Sequence, residues 1–519
     1  MELELNEQFN KAIDLLENSR INLFITGKAG TGKSTLLQYY REISKKNLVV
    51  LAPTGVAALN VEGETIHSFF NFKPGVTVGE SKKIGKSFRK SFLFQELEMI
   101  VIDEISMVRA DLLDCVDSFL RASRGKRTPF GGVQMVFIGD LYQLPPVVSK
   151  EEKPLFQGPY SSPYFFSAKA VRDLIEKKSK TEIEFVELEK IYRQRDLDFI
   201  QLLNGIRNRT IEPSYLQKLN HRVLEPSGEF LENTIFLTST NEQSDQINKQ
   251  NLEKLSSPVF KFAGEMEGEM DRKHLPTDSE LFLKENARVM LLNNDSFGRW
   301  VNGTLGTVAK IDSDRILVNL DNGEEVEVNP FTWTLFHHYY DKDSLSIGKK
   351  ETGRFTQFPL RLSWAMTIHK SQGKTFDKVV IDLGKGAFSP GQVYVALSRC
   401  RSFEGIVLKT PVKMNHLLMD YQVVRFLTRF QYRLSDKKVP LSEKITLLNK
   451  AIEEKKRLKI VYLKSQDEKS SRVIQPIKLE DMEFKGHEFI GVQAHCFLRN
   501  DTRVFNVERI LEIAEAKEE

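Results

Sequence analysis

Short, nearly unbroken apolar runs alternate with helical stretches through the first part of the chain. Ile21-Asn-Leu-Phe-Ile-Thr26, Leu48-Val-Val-Leu-Ala-Pro53, Met99-Ile-Val-Ile-Asp-Glu-Ile-Ser106 and Val133-Gln-Met-Val-Phe-Ile-Gly-Asp140 are too short for buried helices, which predicts strands covered on both faces. Apolar residues at helical spacing predict helices over 3–18 (Leu3, Phe9, Ile13, Leu15, Leu16) and 110–124 (Leu112, Leu113, Val116, Phe119, Leu120), with another opening at Thr35. Strands alternating with helices predict a parallel sheet sandwiched by helices. The texture returns later. Ile235-Phe-Leu-Thr-Ser239, Arg288-Val-Met-Leu-Leu292 and Lys378-Val-Val-Ile-Asp382 read as strands, and 241–255 and 393–401 as helices of a second α/β domain. Residues 296–355 differ: Arg315–Leu320 and Glu325–Asn329 alternate and are joined by the turn Asn322-Gly323, which predicts a small inserted β-barrel.

Length and composition narrow the class. A chain of 519 residues should hold about three or four domains. No apolar run is long enough to span a bilayer, and Met1-Glu-Leu-Glu-Leu-Asn6 lacks the basic and apolar regions of a signal peptide. The expectation is a cytoplasmic protein with no membrane partner. Cys115, Cys400 and Cys496 are far apart, which argues against a disulfide framework or a structural zinc. A net charge of +4 is too small to imply a polyanionic partner, so local charge must carry that argument.

The most informative stretch is Gly27-Lys-Ala-Gly-Thr-Gly-Lys-Ser34, a phosphate-loop pattern between a predicted strand and a predicted helix. Gly27, Gly30 and Gly32 let backbone N–H groups turn toward phosphates, Lys33 can reach the β- and γ-phosphates, and Ser34 can ligate Mg²⁺. Asp103-Glu104 lies where such an ATPase places its metal ligand and its water-activating base; a helix cap is the plainer alternative. Asn6 and Gln8 carry amides suited to an adenine edge, or to a solvated helix face. Gln143 could contact a γ-phosphate or the attacking water. Arg399 and Arg193 are candidates for stabilising transition-state charge, or surface arginines. Thr54 stands at the carboxyl edge of a strand, where α/β sheets bind ligands. Thr65-Ile-His-Ser-Phe-Phe70 suits base stacking, or core packing by its aromatics. Between 71 and 95, Lys82, Lys83, Lys86, Arg89 and Lys90 alternate with Phe88 and Phe92, the texture of a nucleic-acid surface or a solvated insertion.

The ordered set Gly-Lys-Ala-Gly-Thr-Gly-Lys-Ser, Ala-Pro-Thr-Gly-Val-Ala-Ala, Thr-Ile-His-Ser-Phe, Ile-Asp-Glu-Ile-Ser-Met, Pro-Phe-Gly-Gly-Val-Gln, Gly-Asp-Leu-Tyr-Gln-Leu-Pro-Pro and Ala-Met-Thr-Ile-His-Lys-Ser-Gln-Gly resembles the Pif-type DNA helicases of superfamily 1. The resemblance covers residues 1 to about 430. It implies two RecA-like α/β domains: 1–185, with a wedge subdomain near 71–95, and 186–295 with 356–432, carrying an SH3-like subdomain at 296–355. It implies an ATP- and Mg²⁺-dependent 5′→3′ translocase, monomeric, acting on single-stranded DNA and junctions at a bacterial nucleoid. Carried over by position, Gln8, Gly27, Gly30, Thr31, Gly32, Lys33, Ser34, Thr35 and Gly373 would bind ATP, with Ser34 and Asp103 on Mg²⁺. Lys33, Glu104, Gln143, Arg193 and Arg399 would be catalytic. Thr54, Thr65, His67, Ser68, Phe69, Thr367, His369 and Lys370 would line the DNA track.

Residues 436–519 resemble a WYL domain, an SH3-like β-fold, with Val461-Tyr462-Leu463 where the name-giving tripeptide stands. The resemblance implies a nucleic-acid or small-ligand face, expected at Tyr462, Arg472, Arg499, Arg503 and Arg509. Two other readings stay open: a WYL-containing nucleic-acid-binding regulator with an ATPase switch, and an ATPase that remodels protein.

Overall fold

The computed structural model describes residues 6–516 apart from 74, 151, 157, 177–181, 195, 226–233, 269–274, 313–314, 342–345 and 485. Two compact units emerge, Met1–Arg207 with Ile211–Leu418, and Asn208–Thr210 with Met419–Glu519.

The larger unit is built on two parallel sheets. In the first, Glu64–Thr65, Leu48–Ala52, Met99–Ile102, Gln134–Ile138, Asn22–Gly27 and Ile183–Leu188 lie side by side in that order. These apolar runs are buried almost throughout, as a doubly covered sheet requires. Ile183–Leu188 pairs along the whole of Asn22–Gly27, so this lobe runs past the expected boundary at 185. In the second sheet the order is Ala365–Thr367, Ile235–Thr238, Val379–Asp382 and Ile406–Leu408, again all parallel. Helices Leu197–Arg207 and Gln392–Ser398 share the core of this second lobe through Phe199, Leu202, Ile206, Val393 and Leu397.

The inserted β-module differs from expectation in two ways. Arg288–Leu291, expected in the second α/β sheet, pairs antiparallel with Leu305–Ile311 and Leu360–Leu362. A short apolar run does not reveal which sheet it joins. That five-stranded antiparallel sheet also takes in Ile316–Leu320 and Glu325–Val328, the predicted hairpin, with Gly323 at φ +89° in its turn. The remainder of 296–355 is no part of it. Phe331–Asp341 and Ser346–Gln357 form a long hairpin that pairs with Glu265–Gly268.

Segment 71–95 folds as helices Val78–Ser87 and Phe92–Glu96, inserted between two strands of the first sheet. A capping box on Thr77 and Glu80 starts the first helix. Gly85 lets it lie against the helix Ala110–Arg124, for a Cβ there would meet the Phe119 carbonyl oxygen at 2.5 Å. Phe70, Phe72, Phe88, Phe94 and Phe119 form one ring cluster beneath it. Burying each ring of this cluster contributes about 1.5–3 kcal/mol, which draws those aromatics inward, while Phe92, Lys82, Lys83, Lys86, Arg89 and Lys90 stay exposed.

The second unit carries helices Tyr421–Lys438 and Leu441–Glu453 and a five-stranded antiparallel sheet. The strand order is Asp501–Asn506, His487–Cys496, Lys469–Phe484, Leu458–Leu463, Ile510–Glu515. Leu448, Ile460, Ile474, Val492, Phe505 and Val507 fill its core. Ser435 Oγ donates toward the carbonyls of Ile510 and Leu511, at 3.1 and 2.7 Å. The helix Tyr421–Lys438, whose first part falls inside the expected domain segment 356–432, therefore groups with the C-terminal sheet.

Candidate functional site

The phosphate loop leaves the carboxyl end of the strand Asn22–Gly27 and runs into the helix Lys33–Ile43. Gly30 and Gly32 hold φ of +80° and +83°, which side-chain-bearing residues adopt only with strain. Gly32 is the N-cap and offers the helix no side-chain hydrogen bond, so the first-turn N–H groups face the loop. Lys33 Nζ donates to the carbonyls of Gly27 and Lys28 at 2.8 and 3.1 Å, and Thr31 Oγ1 to Lys28 O at 2.9 Å. Desolvation pushes the Lys33 ammonium below its ordinary range, against the pull of Asp140, Glu104 and Asp103. Ser34 and Thr35 are exposed on the first helical turn. Gln8 sits half-buried in the helix Glu7–Asn18, beside Phe9, whose ring lies 3.0 Å from where a Cβ on Gly32 would stand. Asn6, the other amide candidate, caps that helix through Phe9 N–H at 2.9 Å and donates to Tyr192 Oη.

Asp103 follows the strand Met99–Ile102 at the same edge of the sheet. Burial, and then the neighbouring Glu104, push its carboxyl up to about 7. Glu104 is likewise raised by burial, and its backbone is left-handed at φ 50°, ψ 44°. From the second lobe, Gln372 Nε2 donates to Glu104 Oε2 at 2.8 Å. Arg399 is buried at the end of the helix Gln392–Ser398, its Nε on Val395 O at 3.0 Å and Nη2 on Ser398 Oγ at 2.9 Å. Burial, reinforced by Arg193, pushes its guanidinium down to about 9, so it remains a cation at neutral pH. Arg193 Nη1 donates to Ser398 O at 3.1 Å. Gln143 is buried beside this helix, where Gly391 packs so closely that a Cβ would meet the Gln143 carbonyl oxygen at 2.4 Å. Electrostatic pairs thus link Lys33 to Asp103, Glu104 and Arg193, and link Arg399 to Glu104 and Arg193, in the cleft between the two lobes. Gly373 sits on an open turn at φ +81°.

The residues expected along a DNA track are caps, surface groups and, in Phe69 and Thr367, two buried residues. Thr54 Oγ1 accepts Ala57 N–H at 3.2 Å, Thr65 Oγ1 accepts Ser68 N–H at 3.1 Å and Thr367 Oγ1 accepts Lys370 N–H at 3.3 Å. Ser68 is exposed and His67 half-exposed. Phe69 is corrected: it is 2% exposed, packs edge-on against Phe70 and Phe94, and offers no face to a base. In the second lobe His369 stacks on the exposed Phe388 at 6.4 Å and 16°, and burial lowers its imidazole pKa. Lys370 borders a cavity of about 500 Å³ lined also by Asn248, Phe282, Arg361 and Met366. Sequence reasoning missed Gln372, Phe388 and Tyr394. Gln372 stands inside a motif that the family resemblance already quotes, and Tyr394 inside the predicted helix 393–401.

Comparisons with known proteins bear on this cleft. The PIF1-like helicase profile matches residues 3–215. ATP-dependent DNA helicase Pif1 of Bdellovibrio bacteriovorus is 31% identical over 442 residues, covering 83% of this chain and 93% of that protein. The chain belongs to the Pif1 helicase family. Human ATP-dependent DNA helicase PIF1 is 34% identical over 403 residues, 74% of this chain, which spans 58% of the human protein. Pif1 from Bacteroides in complex with ADP-AlF4 superposes with a TM-score of 0.74 at 37% identity, over 83% of this chain and 98% of that one. The same Bacteroides protein bound to ssDNA gives 0.59 at 37% identity, over 82% of this chain and 96% of that one.

A WYL domain profile matches residues 443–515, so this Pif1-family chain carries a WYL domain in its second unit. Of its expected face, Arg499 and Arg503 are exposed, Tyr462 and Arg509 partly so. Tyr462 Oη accepts Asn506 N–H at 3.4 Å, and its ring meets Phe505 edge-on. Arg472 is corrected. It is 8% exposed, donates to Ser470 Oγ at 3.1 Å, and lies 3.6 Å from Cys496 Sγ. It shares the inward side of its strand with Ile474. Among the described residues no cluster of His, Cys, Asp and Glu could hold a metal by itself, and no helix is long and apolar enough to cross a membrane.

Proposed function

We propose that this chain is an ATP-dependent DNA helicase that translocates 5′ to 3′ on single-stranded DNA as a monomer. Its substrates are duplexes, forks, RNA–DNA hybrids and G-quadruplexes, in DNA repair, recombination and genome maintenance on the nucleoid. The observation that supports this most is the shared cleft: loop and acidic pair on one lobe, buried arginine and Gln372 on the other. A nucleotide held there touches both lobes, so its turnover can change their spacing.

In this reading the loop N–H groups of Gly27 through Thr35 and the Lys33 ammonium hold the phosphates, with Gly373 beside them and Gln8 on adenine. Ser34 and Asp103 would hold Mg²⁺, which would supply charge neutralisation to the phosphates. The residues fit that ion: one hydroxyl and one carboxylate suffice beside phosphates, and burial penalises the negative charge on Asp103 and Glu104, which a cation beside them would relieve. Glu104 accepts a proton from the attacking water, oriented by the Gln372 amide on its second oxygen. Gln143 reads the γ-phosphate, and Arg193 and Arg399 stabilise the charge that develops on it. Thr54, Thr65, His67, Ser68, His369 and Lys370 contact the strand, with Thr367 buried beneath them and its Oγ1 on the Lys370 N–H. Tyr462, Arg499, Arg503 and Arg509 give the tethered WYL domain its own nucleic-acid face, raising the local concentration of DNA.

The test is strand separation on duplexes with a 5′ or a 3′ single-stranded tail. ATP- and Mg²⁺-dependent unwinding of the 5′-tailed duplex alone is expected. Unwinding of only the 3′-tailed duplex would reverse the polarity. Turnover stimulated by single-stranded DNA with neither duplex opened would make the ATPase a switch.

A further inference from the structure

The hydroxyl of Tyr394 sits in a buried relay that the residue roles above leave unexplained. It accepts the Ala29 N–H at 2.9 Å and donates to Asp140 Oδ2 at 3.3 Å. Asp140 Oδ1 accepts Tyr142 N–H at 3.1 Å and Arg207 Nη2 at 3.2 Å. Asp140 is wholly buried, and Tyr394 and Arg207 are 4% and 7% exposed. The Arg207 guanidinium also lies 3.9 Å over the Tyr142 ring. Burial and the Asp140 carboxylate hold the Tyr394 phenol well above its ordinary range, so it keeps its proton and can accept and donate at once.

Three features tie the relay to ATP chemistry rather than to packing alone. Ala29 lies inside the phosphate loop, whereas Tyr394 and Arg207 come from the second lobe. Tyr394 and Arg399 share one short helix, with Arg399 Nε bonded back to Val395 O, so moving one moves the other. The helix start is butted against the turn that carries Asp140: a Cβ on Gly391 would meet the carbonyl oxygens of Tyr142 and Gln143 at 2.4 Å each.

We propose that Tyr394 is a positioning residue for ATP hydrolysis. Its hydroxyl, anchored by the Asp140–Arg207 pair, clamps the phosphate loop to the helix that carries Arg399 and fixes how far Lys33 and Arg399 stand apart. The inference rests on the proposed role of that cleft in ATP turnover.

Tyr394→Phe deletes only the hydroxyl. In the full-length chain with single-stranded DNA and Mg·ATP, kcat should fall about tenfold, the worth of one charge-assisted hydrogen bond, with KM for ATP within about twofold. The decisive measurement is a double-mutant cycle. If the hydroxyl acts through Arg399, adding Tyr394→Phe to Arg399→Ala should lower kcat by less than about twofold. Losses that multiply, or a Tyr394→Phe chain turning over at the parental rate, would overturn the clamp. Asp140→Asn, which keeps the shape and removes the charge, should give the same cycle should the phenylalanine variant fail to fold. Arg399→Ala hydrolysing at the parental rate would sink the cleft reading and the clamp together; a slow Arg399→Ala with multiplying losses sinks the clamp alone.

Discussion

The two lobes of the larger unit share a plan and diverge at one turn. In the first, a parallel strand leads through a glycine loop into the helix Lys33–Ile43. In the second, the strand Ile235–Thr238 leads through Ser239 and Thr240 into the helix Asn241–Lys254. The second helix is capped by its own chain, for Thr240 Oγ1 accepts Gln243 N–H at 3.3 Å. The first is capped by Gly32, which has no side chain to give. A helix start becomes an anion site only where its orphan donors are left unclaimed. Charge is divided less cleanly, because the first lobe also carries Lys33, a cation lowered by burial. The first lobe contributes Asp103, raised by burial, and the second Arg399 and Lys374, lowered by burial to about 9 and about 8. Each side carries charge that the cleft penalises and that an opposite charge relieves.

The largest effect that could break this contrast is at Lys33. Lys33→Ala should cut ATP turnover by about a thousandfold or more while single-stranded DNA binding persists; a steady-state ATPase assay with turnover near parental would place the site elsewhere. On the facing lobe, Arg399→Ala should slow single-turnover hydrolysis about a thousandfold with ATP affinity little changed. The caps sharpen the contrast at smaller scale. Thr240→Ala should cost about 1 kcal/mol in denaturant unfolding and leave turnover near parental, as befits a cap that binds nothing else. Gly32→Ala should cost about 1–2 kcal/mol, since the residue is left-handed, and should also raise KM for ATP. The smallest effect is a pH dependence at Lys374, whose Nζ bonds Asn302 Oδ1 at 2.8 Å. Its pKa is lowered on folding from 10.5 to about 8, so the unfolded chain holds the extra proton between those values. Lys374's contribution to stability is then fully present above pH 10.5 and lost as pH falls through 8. Melting curves of the parent and of Lys374→Met should converge as pH rises across that window.

What the sequence made legible is what is local. The phosphate loop, the strand before it and the helix after it are contiguous; Gly30 and Gly32 take its left-handed turn, and a Cβ on Gly27 would stand 2.6 Å from the Leu188 carbonyl oxygen. The hairpin at Asn322-Gly323 is legible for the same reason. What failed needed partners distant in sequence. Phe69 reads equally as a stacking ring or a core ring, and the choice is made by Phe94 from a neighbouring helix. Arg288–Leu291 carries no mark of the antiparallel sheet it joins. Arg472 was readable: Ile474, two positions on along its strand, is core, and period two puts both on one side. Tyr394 was readable too, as the one hydroxyphenyl in the run Val393–Leu397, since a buried phenol needs a partner for its proton.

Glu104 departs from the usual rule that strained backbone belongs to glycine. Its left-handed conformation costs about 1 kcal/mol or more relative to an unstrained site, and glycine would relieve that cost. Glycine there would also delete the carboxylate. Variants selected only for resistance to heat should therefore drift toward loss of the proposed base at this position, and a hardened version of the enzyme would be the one that has stopped working.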